Sequence, residues 1–355
     1  MSSTQAYCRH FGLCGGCVFQ DMPSEPYYVL KRKLIVDALT REGLAHLSVA
    51  DVADVAPGTR RRATFKAEKK NGRTLVGFHA VQSHAIADMF ECRVLTPALV
   101  GLVPRLREMF GWRLKDDETA EAYAVECDNG LDVSLRGVRA DAKTIRWAAD
   151  WARRAGLIRL TAAGDLVVQY AQPTVMFGRV GVCVPPGAFL QPTREGEVLL
   201  AGHVLSSLGR SRRVADLFCG VGTFALRAAE VAQVLAIDSD RSALEALAAG
   251  ARGAQKLKPV EVRPRDLMRL PLGASELDGF DAVILDPPRA GAARQCEELA
   301  RSKVPKLIYV SCNPLSFARD TRILYGGGWR AARVIPVDQF LWSSHIELVA
   351  SFSKA

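Results

Sequence analysis

The stretch Val214-Ala215-Asp216-Leu217-Phe218-Cys219-Gly220-Val221-Gly222-Thr223-Phe224 decides the fold. An apolar run stops at a turn containing Gly220 and Gly222, and a second apolar segment follows from Ala225 to Ala232. This reads as strand, turn and helix, with glycines where the backbone must approach a ligand closely. Downstream the unit repeats. Gln233-Val234-Leu235-Ala236-Ile237 ends in Asp238, and Val260-Glu261-Val262 leads to Asp266. Asp281-Ala282-Val283-Ile284-Leu285 ends in Asp286-Pro287-Pro288-Arg289, and Lys306-Leu307-Ile308-Tyr309-Val310 is stopped by Ser311-Cys312-Asn313-Pro314. Strands alternating with helical segments from Glu195 onward predict a Rossmann-like, doubly wound α/β domain over residues 189–355. In such a sheet ligands bind beyond the C-terminal strand ends, which is where each polar stop falls.

The polar stops are acidic. The turn lacks the three-glycine dinucleotide spacing, and Asp216 just before it would repel a pyrophosphate while suiting the ammonium group of an amino acid. Asp238 is placed for ribose hydroxyls and Asp266 for an adenine amino group. Acids at three strand ends, with no phosphate-binding lysine, describe S-adenosylmethionine better than NAD or ATP. The two prolines after Asp286 stiffen a substrate-facing wall. Arg289 stands where an aromatic residue would stack the base in amino-group methylation, which weakens that chemistry. Cys312 lies at a strand end, and Glu347 of His345-Ile346-Glu347 abuts a terminal apolar strand, Leu348 to Phe352. Reduced solvation there would raise its pKa and suit it to act as a base.

Upstream, Ser24 to Gly43 reads as a helix, and Asn71-Gly72 as a hairpin turn inside the basic run Thr59 to Arg73. Those basic side chains are expected either to face phosphates or to form a solvated sheet face, with Phe65 and Phe78 available for packing or stacking. A helix over Ala98 to Lys115, a hairpin about Asp128-Asn129-Gly130, strands at 166–170 and 180–184 and the irregular Pro186 to Thr193 complete an α+β region of antiparallel character. Domains are therefore expected over 1–188 and 189–355. At the N-terminus, Cys8, Cys14 and Cys17 fall in one glycine-containing loop, and Cys92 sits far downstream. Four thiolates can hold a tetrahedral zinc or an iron–sulfur cluster. Four protein ligands would close the cluster, so a radical-generating centre is disfavoured. A structural or RNA-contacting role is expected.

With 355 residues and a net charge of +9, the chain favours a polyanionic partner, nucleic acid first. No charged-then-apolar leader and no apolar run near twenty residues is seen, so a cytoplasmic location without a membrane partner is expected. A monomer is the default expectation.

Taken together, Cys8 to Cys17 with Cys92, Phe189-Leu190-Gln191, Asp216 to Phe224, Asp286 to Arg289, Ser311 to Pro314 and His345 to Glu347 resemble the bacterial RNA 5-methyluridine methyltransferases, through nearly the whole chain and in the same order. The resemblance implies Cys312 as nucleophile and Glu347 as the base that removes the C5 proton. It implies cofactor and base contacts at Gln191, Phe218, Gly220, Thr223, Asp238, Asp266 and Asp286, with Phe189, Gln191 and Asp286 near the uracil. It implies a [4Fe–4S] cluster on the four cysteines, as in members acting on 23S ribosomal RNA, which makes that RNA the expected partner. The chemistry is consistent: uracil C5 attacks a sulfonium only after a thiolate has added to C6, and a base must then take the C5 proton. The uridine is expected to be flipped out to reach the site.

Two departures stand out. Relatives carry an N-terminal RNA-binding β-barrel for which the residues before Cys8 leave no room, so RNA affinity is expected from the cysteine region and the basic middle. Relatives also have Phe-Pro and threonine before the histidine, where this chain has Phe340-Leu341-Trp342-Ser343-Ser344. Rival readings are a transfer-RNA 5-methyluridine or RNA 5-methylcytosine transferase and a non-catalytic iron–sulfur RNA-binding protein.

Overall fold

The computed structural model describes residues 8–139 and 142–354. Helix α1 (Ser24–Arg41) and the short β1 (Ala53–Asp54) come first. A seven-stranded sheet follows, from β2 (Arg62–Lys70), β3 (Arg73–His79), β4 (Ile86–Asp88), β5 (Thr119–Cys127), β6 (Gly130–Arg136), β7 (Leu157–Ala162) and β8 (Asp165–Gln169). Their order is β4-β3-β2-β5-β6-β7-β8. Neighbours are antiparallel as expected, except β6 and β7, which run parallel and are joined through helix α3 (Ala142–Arg154). The hairpin turn at Asn71-Gly72 forms with φ of 51° and 73°, a pair of left-handed residues that matches the twist of its strands. Helix α2 (Pro97–Arg113) starts at Thr96, whose hydroxyl accepts from the amide of Leu99, and covers the sheet with Leu99, Leu102, Leu106 and Phe110. Phe65 is fully buried and stacked on Phe78, so this aromatic pair is core rather than a base platform.

A hairpin of β9 (Thr174–Phe177) and β10 (Val180–Cys183) leads to α4 (Arg194–Leu208) and the second sheet. That sheet contains β11 (Arg213–Leu217), β12 (Gln233–Asp238), β13 (Val260–Pro264), β14 (Ala282–Leu285), β15 (Lys306–Ser311), β16 (Trp329–Asp338) and β17 (Glu347–Lys354). The order is β1-β16-β17-β15-β14-β11-β12-β13, with apolar clusters on both faces. Strands covered on both sides read as continuous apolar runs, which is why they were visible in the sequence. The helix expected over 225–232 is a single turn, α5 (Ala225–Ala228).

Residues 24–54 cross the domain boundary expected at 188. Ile35, Ala38 and Leu39 of α1 pack into the core of the second sheet, and β1 pairs with β16. Between the two sheets, the amide of Arg61 donates to the Pro192 carbonyl at 2.8 Å. Glu197 of α4 is buried between Arg61 and Arg227 at 2.5 and 2.6 Å. Deleting that carboxylate would strand two enclosed guanidinium groups, a loss of about 3–5 kcal/mol. Among the described residues, no helix is long and apolar enough to cross a membrane.

Among the described residues, only β17 runs against its sheet: it is antiparallel to both β15 and β16. Its first residue therefore lies where the other strands end. Ser311, the last residue of β15, pairs with Leu348, so Cys312 and Glu347 emerge side by side at one edge.

Candidate active site

That edge opens onto a cavity of about 510 Å³. Phe189, Gln191, Phe218, Gly220, Asp238, Asp266, Asp286, Cys312 and Glu347 all line it. Residues separated by 158 positions in the sequence, Phe189 to Glu347, thus share one wall. Thr223 and Asp216 do not line it. The chain has turned inward at Gly222 (φ 98°), where a Cβ would sit 2.8 Å from Leu247 and 3.0 Å from Leu226. Asp216 is wholly buried beneath the loop, its pKa driven well up by desolvation against the opposing pull of the Ala225 amide. The expected contact of Asp216 with an ammonium group is therefore not made from this position. A strand covered on both faces encloses its penultimate residue whatever its polarity.

The glycine turn begins at Phe218, which has φ 64° despite its side chain. Such a residue costs about 1–2 kcal/mol, and the strain persists because the surroundings hold the turn. One of those restraints is Asp238, whose Oδ2 accepts from the Gly220 amide and whose Oδ1 accepts from the Asp240 amide, both at 2.9 Å. Asp266 similarly accepts from the amides of Met268 and Arg269 at 3.0 and 3.2 Å. Each acid caps its own turn and still borders the cavity.

Asn313 fixes the position of Cys312. Its Oδ1 caps α9 (Pro314–Gly326) by accepting from the Leu315 amide at 3.1 Å, and its Nδ2 donates to the Arg289 carbonyl at 2.9 Å. The cysteine turn and the Asp-Pro-Pro-Arg wall are thereby joined. Opposite, Gln191 Nε2 donates to Asp286 at 3.4 Å while its Oε1 accepts from Gln339 Nε2 at 2.8 Å. Gln339 Nε2 also reaches Glu347 at 3.1 Å. Two amides thus link the two carboxyl groups that face the cysteine.

These carboxyls are poorly solvated. Burial pushes the Glu347 carboxyl up to about 7, against the opposing pull of the Gln339 hydrogen bond and the Arg62 charge. Burial also drives Asp286 well up, with Glu347 and Asp216 adding repulsion. Burial, then Glu347 and Asp286, raise the Cys312 thiol to about 11. The same burial lowers the pKa of Arg62 on the facing wall, so the cavity disfavours charge of either sign on its own side chains.

Sequence reasoning did not single out Arg62, Gln339 or Phe340, which also border the site or hold its walls. The three consecutive arginines go to three places. Arg61 is buried against Glu197, Arg60 lies over the Phe340 ring at 5.9 Å, and Arg62 lies over Phe189 at 4.5 Å with a buried Nε that lacks a partner. The three arginines thus face the sheet junction, the 339–346 loop and the cavity wall, while Lys70 and Arg73 at the hairpin end of the run are exposed.

The family described as tRNA (Uracil-5-)-methyltransferase matches residues 184–354. An uncharacterized RNA methyltransferase of Brucella suis biovar 1 (strain 1330) is 45% identical over 348 residues, 98% of this chain and 84% of the relative. The 23S rRNA (uracil(1939)-C(5))-methyltransferase RlmD of Pseudomonas entomophila (strain L48) is 31% identical over 98% of this chain and 80% of its own length. The chain belongs to the RNA uracil-C5 methyltransferase family. It is an S-adenosylmethionine-dependent enzyme. The methyltransferase shares its fold with the Pyrococcus abyssi tRNA (uracil-54, C5)-methyltransferase bound to S-adenosyl-L-homocysteine, with a TM-score of 0.76 and 24% identity, over 96% of this chain and 84% of that one.

A second cavity of the methyltransferase, about 390 Å³, is lined by Cys8, Cys14, Cys17 and Cys92 together. The loop carrying the first three is sewn to the β3–β4 connection: the Gly15 amide donates to His79 at 2.9 Å, and the Val81 amide donates to Leu13 at 3.0 Å. Amides of His10 and Gly16 point at the sulfurs of Cys8 and Cys14, each at 3.4 Å. Burial, then Cys92, Cys14 and Cys8 in turn, lift the Cys17 thiol to about 12, with the Gln20 side chain opposing. Among the described residues, no group of three or more His, Cys, Asp or Glu side chains is arranged to hold a metal ion.

Proposed function

We propose that the methyltransferase methylates C5 of uridine in 23S ribosomal RNA, with Cys312 as nucleophile and Glu347 as base. The observation that carries this reading is their emergence at one sheet edge into one cavity, with Gln191 and Asp286 beside them. The likeness to RlmD supports the RNA class.

S-adenosylmethionine supplies the methyl group as a sulfonium electrophile. In the cofactor half of the cavity, Asp238 meets the ribose, Asp266 meets the adenine, and Phe218 and Gly220 form the floor. Thr223 helps hold the turn from behind. In the base half, Phe189 with Arg62 packs on the uridine, while Gln191 and Asp286 hydrogen-bond its edge. The Cys312 thiolate adds to C6, forming a C–S bond and moving the electron pair toward O4 and C5. C5 then takes the methyl group as the S–CH3 bond of the sulfonium breaks and its electron pair stays on sulfur, leaving a neutral thioether. Glu347 removes the C5 proton, and the returning electron pair expels Cys312 from C6.

The thiol-lined cavity supports a [4Fe–4S] cluster held by Cys8, Cys14, Cys17 and Cys92. Four sulfurs border one void without converging on a point, and amide donors already face two of them. A cluster would supply the positive charge that these crowded thiols lack.

The decisive experiment is nucleoside mass spectrometry on hypomethylated 23S ribosomal RNA and on transfer RNA, each incubated with S-adenosylmethionine and either the protein or Cys312→Ala. Expected is new 5-methyluridine in ribosomal RNA alone, lost on the order of 10⁶-fold in the variant, as when a covalent nucleophile is deleted. Product only in transfer RNA would change the substrate, and 5-methylcytidine would change the reaction.

A further inference from the structure

The loop 339–346 joins β16 to β17 and holds the catalytic edge in place: Gln339 opens it and Glu347 follows it. It has no regular structure and contains Trp342 at φ 57°, a conformation an indole side chain adopts only under restraint. It is restrained from two distant places: the Val18 and Phe19 amides donate to the Trp342 carbonyl at 2.7 and 3.1 Å, and two side chains of α1 hold the rest.

Lys31 is fully buried, and its ammonium has three N–H groups. They donate to Asp338 Oδ1 at 2.8 Å, to the Phe340 carbonyl at 3.2 Å and to the His345 carbonyl. Tyr27 sits one turn earlier on the same face. Its hydroxyl donates to Asp338 Oδ2 and accepts from the Trp342 amide at 2.8 Å. Asp338 Oδ1 also accepts from the Phe340 amide at 3.3 Å. Two side chains of one helix thus grip the loop at residues 338, 340, 342 and 345. A buried lysine is tolerated only where acceptors converge on it, and here they converge on both ends of a single loop. Neither Tyr27 nor Lys31 lines the cavity; Lys31 reaches its wall through the carbonyl of Phe340.

We propose that Tyr27, Lys31 and Asp338 are positioning residues for proton removal: they hold loop 339–346 so that Glu347 and its partner Gln339 face the cavity. This rests on the reading of Glu347 as base. It also answers how the loop is held when its sequence departs from the Phe-Pro and threonine of relatives.

The step affected dictates the readout. A misplaced base leaves addition of Cys312 and methyl transfer intact but delays elimination, so protein accumulates covalently attached to methylated RNA. A general loss of structure lowers activity without that adduct. Lys31→Met, its charge-balanced companion Lys31→Met/Asp338→Asn, and the nearly isosteric Tyr27→Phe are compared with Glu347→Gln in denaturing gels and single-turnover assays. Expected for Lys31→Met is a kcat lower by about tenfold to a hundredfold, the cost of small misplacement, with unchanged S-adenosylmethionine affinity and a raised adduct fraction. For Tyr27→Phe the loss is about threefold to tenfold, the scale of one or two hydrogen bonds. If Glu347→Gln traps no adduct, the base assignment itself fails. If it does, and folded Tyr27→Phe and Lys31 variants either turn over normally or lose activity without adduct, the positioning role is overturned. Should Lys31→Met not fold, Tyr27→Phe carries the test alone.

Discussion

The two cavities of this methyltransferase are built from the same kind of group in opposite ways. Both hold acidic groups whose charged forms burial disfavours, a thiol such as Cys17 in one and the Cys312 thiol with the Glu347 carboxyl in the other. The cysteine cavity is assembled on loops from one short segment and one distant residue, Cys92. The catalytic cavity is assembled on the ends of strands whose register is set by a whole sheet. In the first, the acidic groups have mainly amide N–H groups for company, a design completed by whatever binds them. In the second, Gln191 and Gln339 already bridge Asp286 and Glu347, so its protonation state is tuned before any ligand arrives. One site awaits charge, and the other regulates it.

The sharpest way to break this contrast is through pH. If Glu347 titrates near 7, log kcat for the proton-removal step should rise with slope one below about 7, where the carboxyl must lose its proton. Above 7 it should level off. Glu347→Gln should lose turnover on the order of 10²–10⁴-fold and erase the break at 7. A wild-type profile of uniform slope would show that the catalytic cavity is no more tuned than the cysteine one.

A smaller effect is expected at the other cavity. Cys17→Ser or Cys92→Ser should abolish iron retention in anaerobically prepared protein and lower Tm by roughly 5 °C, because a group bound only by the folded state stabilises it. Equal iron content and Tm in wild type and variant would remove the premise that this cavity needs filling.

The smallest effect calibrates both. Lys33 and Asp37 form an exposed i,i+4 pair on α1, at 2.7 Å, pointing away from either cavity. Asp37→Asn should cost only ~0.3–0.5 kcal/mol and shift Tm by no more than about 2 °C in thermal unfolding. A larger drop would mean that α1 responds globally, and the effects of changing Tyr27 and Lys31 would then need that drop subtracted.

The catalytic edge was largely legible because both determinants are local. An apolar run marks each doubly covered strand, and the polar residue that stops it marks the ligand side, so Asp238, Asp286 and Cys312 could be placed from the text alone. Asp216 was misplaced by the same rule, since it lies one residue before the stop and the fold encloses it. Arg62 could not be told from Arg60 and Arg61, because strand alternation and the junction between the sheets send the three side chains to different destinations. The Lys31 clamp was illegible. Within α1 it is the first of three consecutive basic residues, Lys31-Arg32-Lys33, and its meaning resides in Asp338 and two backbone carbonyls that no local pattern announces.

That clamp also carries a timing consequence. Lys31 and Asp338 are 307 residues apart. At ~5–20 residues added per second, α1 leaves the synthesising ribosome roughly 15–60 s before its partner exists. For much of that interval the sheet that covers Ile35, Ala38 and Leu39 is incomplete, because β16 and β17 are the last strands made. A hydrophobe at position 31 would make the waiting helix stickier, whereas an ammonium keeps it hydrated until the last strands arrive.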